Sequence, residues 1–110
     1  MEGMAASDTK ALYIVVNAGF SGEVMDVARE AGAKGATIIN ARGEGIMHKS
    51  FLGITVDSEK EIILILIDEE TSVKIMNAVK DSLGVHTPAQ SICFTVPVSK
   101  TTALNNFVSG

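Results

Sequence analysis

The stretch Glu61–Ile67, EIILILI, is the most strongly apolar in the chain. It is aliphatic at odd and even positions alike, β-branched at most of them, and short. That pattern is a strand covered on both faces. It falls far below the about 20 apolar residues that a membrane-crossing helix needs. Ala11–Val16, ALYIVV, repeats the pattern near the other end of the chain. Two such strands are the centre of a sheet.

The flanks supply the remaining elements. Asp68–Gly84 reads as a helix, capped by Asp68 or Thr71, with Ile75, Val79 and Leu83 on one stripe beside Met76 and with Gly84 as its stop. His86–Ala89 is a loop, Ser91–Val96 (SICFTV) a further strand, and Pro97 ends it, because proline cannot donate to a ladder. Upstream, Asn17–Gly22 is turn chemistry. Ser21 is then the expected N-cap of a helix striped by Val24, Val27, Ala28 and Ala31 and closed by Gly32 and Gly35. Ala36–Ala41 (ATIINA) is a strand, and Arg42–Lys60 is a long connection in which Gly53–Val56 adds a short strand extension. Residues 1–10 carry no periodicity and are expected to be disordered. A short helix is expected over Thr102–Val108.

The order is β-α-β-β-α-β. It predicts an α+β, ferredoxin-like domain over residues 11–110, a four-stranded antiparallel sheet with both helices on one face. Helices on one face leave the other bare, yet the central strands are apolar on both. A partner subunit is the simplest cover, so the pattern predicts an oligomer. Ile65→Asp is the substitution expected to break that interface.

Composition narrows the function. The chain has 110 residues, 9 basic and 13 acidic, for a net charge of −4. No basic patch stands out, so nucleic acid is not an expected partner. The N-terminus lacks the apolar core of a secretory signal, no membrane insertion is expected, and a cytoplasmic location fits. Cys93 is the single cysteine, set between Ile92 and Phe94, and reads as a small buried hydrophobe. No serine lies in a nucleophile elbow, and no acid–base pair accompanies His48 or His86. Neither catalytic residues nor a metal site are expected within one chain, although an oligomer could gather copies of His48 or His86 on its axis.

Two segments remain as candidates. Gly43 and Gly45, in Arg42-Gly43-Glu44-Gly45, open the long connection, and glycines there let the backbone approach a ligand. The connection spans roughly 18 residues, well beyond hairpin length, and such loops are usually functional or disordered. It carries Ile46, Met47, Phe51 and Leu52 beside His48 and Lys49. That is either a docking tip for a partner or a flap on its own subunit.

The stretch Ala33-Lys34-Gly35-Ala36-Thr37-Ile38-Ile39-Asn40-Ala41-Arg42-Gly43-Glu44-Gly45, the Glu61–Ile67 strand and the ending Phe94-Thr95-Val96-Pro97-Val98 resemble the PII nitrogen-regulatory signalling proteins. The resemblance covers about Ala11 to Val98. It implies a homotrimer with three intersubunit clefts that bind a small effector, adenine nucleotides in the better-known members. It also implies a T-loop, here Arg42–Lys60, that docks onto a regulated transporter or enzyme. Such a protein is a sensor, not an enzyme. By this resemblance Gly43 and Gly45 match the T-loop base. His86, Thr87, Gln90 and Ser91 fall in the B-loop, and Lys100 in the C-loop. The partner-binding residues are Ile46, Met47, His48, Lys49, Phe51 and Leu52.

The chain departs from the family where phosphates are held. Its B-loop, Val85–Ser91, has neither glycine nor lysine, and its C-loop offers only Lys100. Ile46 stands where the family has a basic residue, and the T-loop tyrosine is missing, Tyr13 being the single tyrosine. Lys100 and Lys49 are then the only cations expected nearby. Losing several charge-assisted contacts, each about 1.5–3 kcal/mol, penalises ATP most, so AMP or ADP is the expected nucleotide. The alternatives sharing this topology are an ACT-like amino-acid-binding domain, a metal-binding trimer like the CutA copper-tolerance family, and a small ferredoxin-like enzyme. The long loop counts against the first and the lack of an acid–base pair against the last.

Overall fold

The structure is a computed structural model that describes residues 8–42, 50–51, 54–55 and 59–101. Its elements are β1 (Thr9–Asn17), α1 (Ser21–Glu30), β2 (Thr37–Arg42), β3 (Ser50–Phe51), β4 (Ile54–Thr55), β5 (Glu59–Asp68), α2 (Glu69–Leu83) and β6 (Ile92–Pro97). The four long strands form one antiparallel sheet in the order β2-β5-β1-β6. The two strands richest in aliphatic residues on both faces, β1 and β5, are thus its two inner strands. This is the expected ferredoxin-like βαββαβ arrangement.

Alternation sorts the side chains of β1 and β5. Leu12, Ile14 and Val16, with Ile63 and Ile65, turn to one face and are buried in one cluster with Val24, Met25 and Ala28 of α1 and Ile75 and Val79 of α2. The other face carries Tyr13, paired in register with Leu64 on one side and Phe94 on the other, and Ala11, flanked likewise by Leu66 and Val96. Tyr13 and Phe94 stack, with ring centroids 5.0 Å apart and planes 10° from parallel. No helix covers this face: Phe94 is 45% exposed, Val96 44%, Ile39 43% and Leu66 38%.

The expectation for Ile65 needs correction. Only 2% of it is exposed, and it packs under the helices, so it belongs to the subunit core. Its neighbours Leu64 and Leu66 face outward. A strand that is aliphatic at every position does not itself say which parity faces the helices.

Helix ends follow their chemistry with one exception. Asp68 caps α2 as expected, its carboxylate accepting from the Thr71 N–H at 3.0 Å. That bond holds the Asp68 carboxyl below the ordinary Asp value. At α1, however, Phe20 is the N-cap, Ser21 is already helical, and no cap side chain closes the end. Glu61 of β5 reaches over instead and accepts from the N–H groups of Gly19 and Ser21 at 3.1 and 3.2 Å. Gly32 follows the α1 terminus with φ +123°, and a Cβ there would lie 2.9 Å from Thr71 Cγ2, so conformation and space both require glycine.

The long connection is shorter than expected, because β2 and β5 extend to the pair Arg42↔Glu59. Within it, Ile54–Thr55 pairs with Ser50–Phe51 as a separate two-stranded unit and does not extend the main sheet. The segment expected to be disordered, residues 1–10, lies outside the described residues as far as residue 7, and β1 begins at Thr9. The helix expected over Thr102–Val108 also lies outside the described residues.

Candidate functional site

The turn from α2 into β6 gathers four of the expected site residues and is held mostly by its own backbone. Gly84 ends the helix at a spot where a Cβ would lie 2.6 Å from the Lys80 carbonyl oxygen, so a larger residue would displace the turn. The Gly84 carbonyl then accepts from the Thr87 N–H at 3.0 Å and from Thr87 Oγ1 at 2.8 Å. Gln90 N–H donates to the Thr87 carbonyl, and Gln90 itself takes φ +48°, uncommon for a residue with a side chain. Ser91 donates twice to the Leu83 carbonyl, through its N–H and its hydroxyl. The single hydroxyl protons of Thr87 and Ser91 are thus spent on shaping the loop, which leaves their oxygens to a ligand as acceptors. His86 is exposed, as is Lys100 beyond β6.

Two residues that the sequence did not single out tie this loop to the sheet. Asn17, the last residue of β1, donates its N–H to the Ala89 carbonyl at 2.9 Å. Its Nδ2 donates to the Pro88 carbonyl at 2.9 Å and to Gln90 Oε1 at 3.2 Å. Its Oδ1 accepts from Lys60 Nζ at 2.6 Å. Lys60 stands opposite Asn17 in the β1–β5 register and is only 5% exposed. Burial lowers the pKa of its ammonium. The expectation for the nearby cations needs correction: Lys49 lies outside the described residues, and Lys100 follows the far end of β6, where Val98 donates to the Thr9 carbonyl at the opposite end of β1 from Asn17, so within the subunit it is Lys60 that the fold brings to the loop. No local pattern reveals this, because Asn17 and Lys60 are 43 residues apart in the chain.

The next residue along β5 points the other way. Glu61 accepts from the N–H of Ser21, the first residue of α1, and from that of Gly19 just before it, so that helix end is already supplied with a negative charge.

A groove of about 280 Å³ runs beside the loop, between α2 and β6. Apolar Met76, Val85 and Cys93 line it together with polar Asn77, Lys80 and Ser91. Burial pushes the Cys93 thiol up to about 11, which makes it a lining group and not a nucleophile.

Of the other expected residues, Gly43, Gly45, Ile46, Met47, His48, Lys49 and Leu52 lie outside the described residues. Phe51 is placed through its backbone, paired with Ile54. Among the described residues no three His, Cys, Asp or Glu side chains gather as a metal site, and no helix is long and apolar enough to cross a membrane.

Solved structures share this architecture. A protein of Thermus thermophilus assigned as PII-like superposes with a TM-score of 0.62 at 22% identity, covering 80% of this chain and 84% of its own. CPII of Thiomonas intermedia, a nitrogen regulatory PII-like protein, superposes in its apo form with a TM-score of 0.62 at 19% identity, over 80% of this chain and 86% of that one. The same protein bound to ADP, AMP and bicarbonate gives 0.59 at 19% identity, over 80% and 87%. Comparison with curated proteins finds no significant match. A protein-family comparison matches residues 9–106 to nitrogen regulatory protein P-II. That span runs from the first residue of β1 past the end of β6, and it decides against the ACT-like and CutA-like alternatives. The chain belongs to the P-II family of nitrogen regulatory proteins.

Proposed function

We propose that this P-II family protein is a non-enzymatic, cytoplasmic sensor. It works as a homotrimer, binds a small effector in the clefts between subunits, and signals to a transporter or enzyme through the Arg42–Lys60 connection. The observation that carries the reading is the bare apolar sheet face in a chain whose family signals through multi-subunit clefts. Three copies turning that face inward bury Tyr13, Leu66, Phe94 and Val96 and bring the Gly84–Ser91 turn of each copy to a subunit boundary. His86, Thr87, Gln90, Ser91 and Lys100, with Gly43 and Gly45, are the residues assigned to the effector. Ile46, Met47, His48, Lys49, Phe51 and Leu52 are assigned to the partner.

An adenine nucleotide with few phosphates is the effector favoured. Thr87 and Ser91 offer acceptors where a phosphate needs donors, and Lys60 and Lys80 are the cations that the described residues place beside the loop, Lys100 reaching it only from a neighbouring copy. That set suits one or two charges better than a triphosphate. CPII, which shares the fold, binds ADP, AMP and bicarbonate, so bicarbonate belongs in the same trial. Calorimetry against AMP, ADP and ATP, with and without bicarbonate, tests the assignment. AMP or ADP is expected to bind at least tenfold more tightly than ATP. Tight ATP binding would overturn the charge argument, and no binding by any of them would overturn the effector assignment.

A further inference from the structure

We propose that Asn17 is a positioning residue that transmits the state of the Gly84–Ser91 turn to the strand ends from which the long connection departs. The proposal rests on the sensor reading for its biological use, but the coupling itself needs no ligand. Asn17 stands between the turn and the paired ends of β5 and β2. On one side its Nδ2 donates to the Pro88 carbonyl and to Gln90 Oε1, at 2.9 and 3.2 Å. On the other its Oδ1 takes the Lys60 ammonium at 2.6 Å. A carboxamide is the short side chain that can donate in one direction and accept in the other.

The strand register carries the link onward. Lys60 pairs with Ala41, and the next pair, Glu59 with Arg42, is the last before residues 43–58. The Glu59 carbonyl also accepts from the Ala18 N–H, at 3.1 Å, directly after Asn17. A turn that shifts must therefore re-aim the Asn17 amide. That changes the hold on Lys60 within one residue of both ends of the connection. Because Lys60 is buried, its bond to Asn17 lies in a poorly hydrated site where a polar contact weighs more than in water, and a change in that bond bears on the strand end. The Asn17 N–H bond to the Ala89 carbonyl persists whatever the side chain, so variants loosen the turn without releasing it.

Non-additivity in amide exchange tests the link. Thr87→Val removes a hydroxyl bond inside the turn and touches neither Asn17 nor Lys60. In the otherwise unaltered protein it should speed exchange at Ala41, Arg42, Glu59 and Lys60 about threefold, a fraction of one net hydrogen bond. Asn17→Asp keeps the acceptor for Lys60 but loses the donors to the turn. In that background Thr87→Val should leave those amides unchanged. Equal acceleration in both backgrounds, or none in either, would overturn the proposal. Should Asn17→Asp fail to fold, Lys60→Met cuts the far side of the link and must abolish the same response. Adding AMP separates this from the effector assignment. If AMP does not bind, only the sensor reading loses support. If it binds, the Arg42 and Glu59 amide resonances must shift in the parent protein and stay still in Asn17→Asp.

Discussion

The two faces of the sheet are built from the same four strands with nearly the same amino acids, yet they meet different surroundings. Under the helices, Leu12, Ile14, Val16, Ile63 and Ile65 are at most 2% exposed. On the opposite face Leu66, Phe94 and Val96 are just as apolar and remain 38–45% exposed, with Tyr13 partly open beside them. The covered face contributes to folding of the subunit. The open face has about the same hydrophobic stabilisation per unit area still to gain, and only association can realise it. Composition therefore reports that both faces are destined for burial, and topology decides what buries each.

Substitution of adjacent residues breaks the two faces apart. The largest effect belongs to Ile65→Asp, which puts a carboxylate among Leu12, Val24 and Ile75. It should cost about 4 kcal/mol or more and prevent folding, read as loss of the cooperative thermal transition. If Ile65→Asp folds normally, the assignment of the covered face is wrong. Gly32→Ala attacks the same face indirectly. It strains a backbone at φ +123° and drives a methyl into Thr71, where α1 and α2 meet, and should cost about 2 kcal/mol in chemical denaturation. A neutral result would show that the helices can shift to make room.

The smallest effect tests the cap of the covering helix. Asp68→Ala removes the acceptor for Thr71 and should cost about 1 kcal/mol, whereas Asp68→Asn keeps an acceptor and should cost less. The pH dependence separates charge from capping. Asp68 has a folded pKa below its ordinary 3.8, so its contribution is complete above about that pH and is lost as pH falls through the lower folded value. Denaturation midpoints followed from pH 6 downward should fall less steeply for Asp68→Asn than for the parent, and parallel curves would contradict the assignment.

Much of this architecture is legible in the sequence because it rests on short periods. Short, unbroken aliphatic runs mark β1 and β5, the Ile75–Val79 spacing marks α2, and Asp68 caps a helix three residues from its donor. What was not legible depends on contacts between distant residues. Glu61 displaces Ser21 as the group that closes α1 from 40 residues away. Lys60 and Asn17 meet only after β1 and β5 pair in register. The face of Ile65 was hidden because every neighbour in EIILILI is aliphatic, so nothing in the strand breaks the symmetry of its two sides. At the site, the Gly84–Ser91 turn was found through its likeness to a family loop. The Asn17 and Lys60 side chains that fasten it were missed, since an asparagine at a strand end and a lysine before an apolar run look like ordinary solvated residues.

The mass of the assembly in solution tests the central claim most directly. Sedimentation of the parent protein at micromolar concentration should give three chains. Leu66→Asp, on the open face one residue from Ile65, should give a folded single chain whose circular dichroism matches the parent. A parent protein that sediments as one chain, or a Leu66→Asp variant that remains trimeric, would contradict the account.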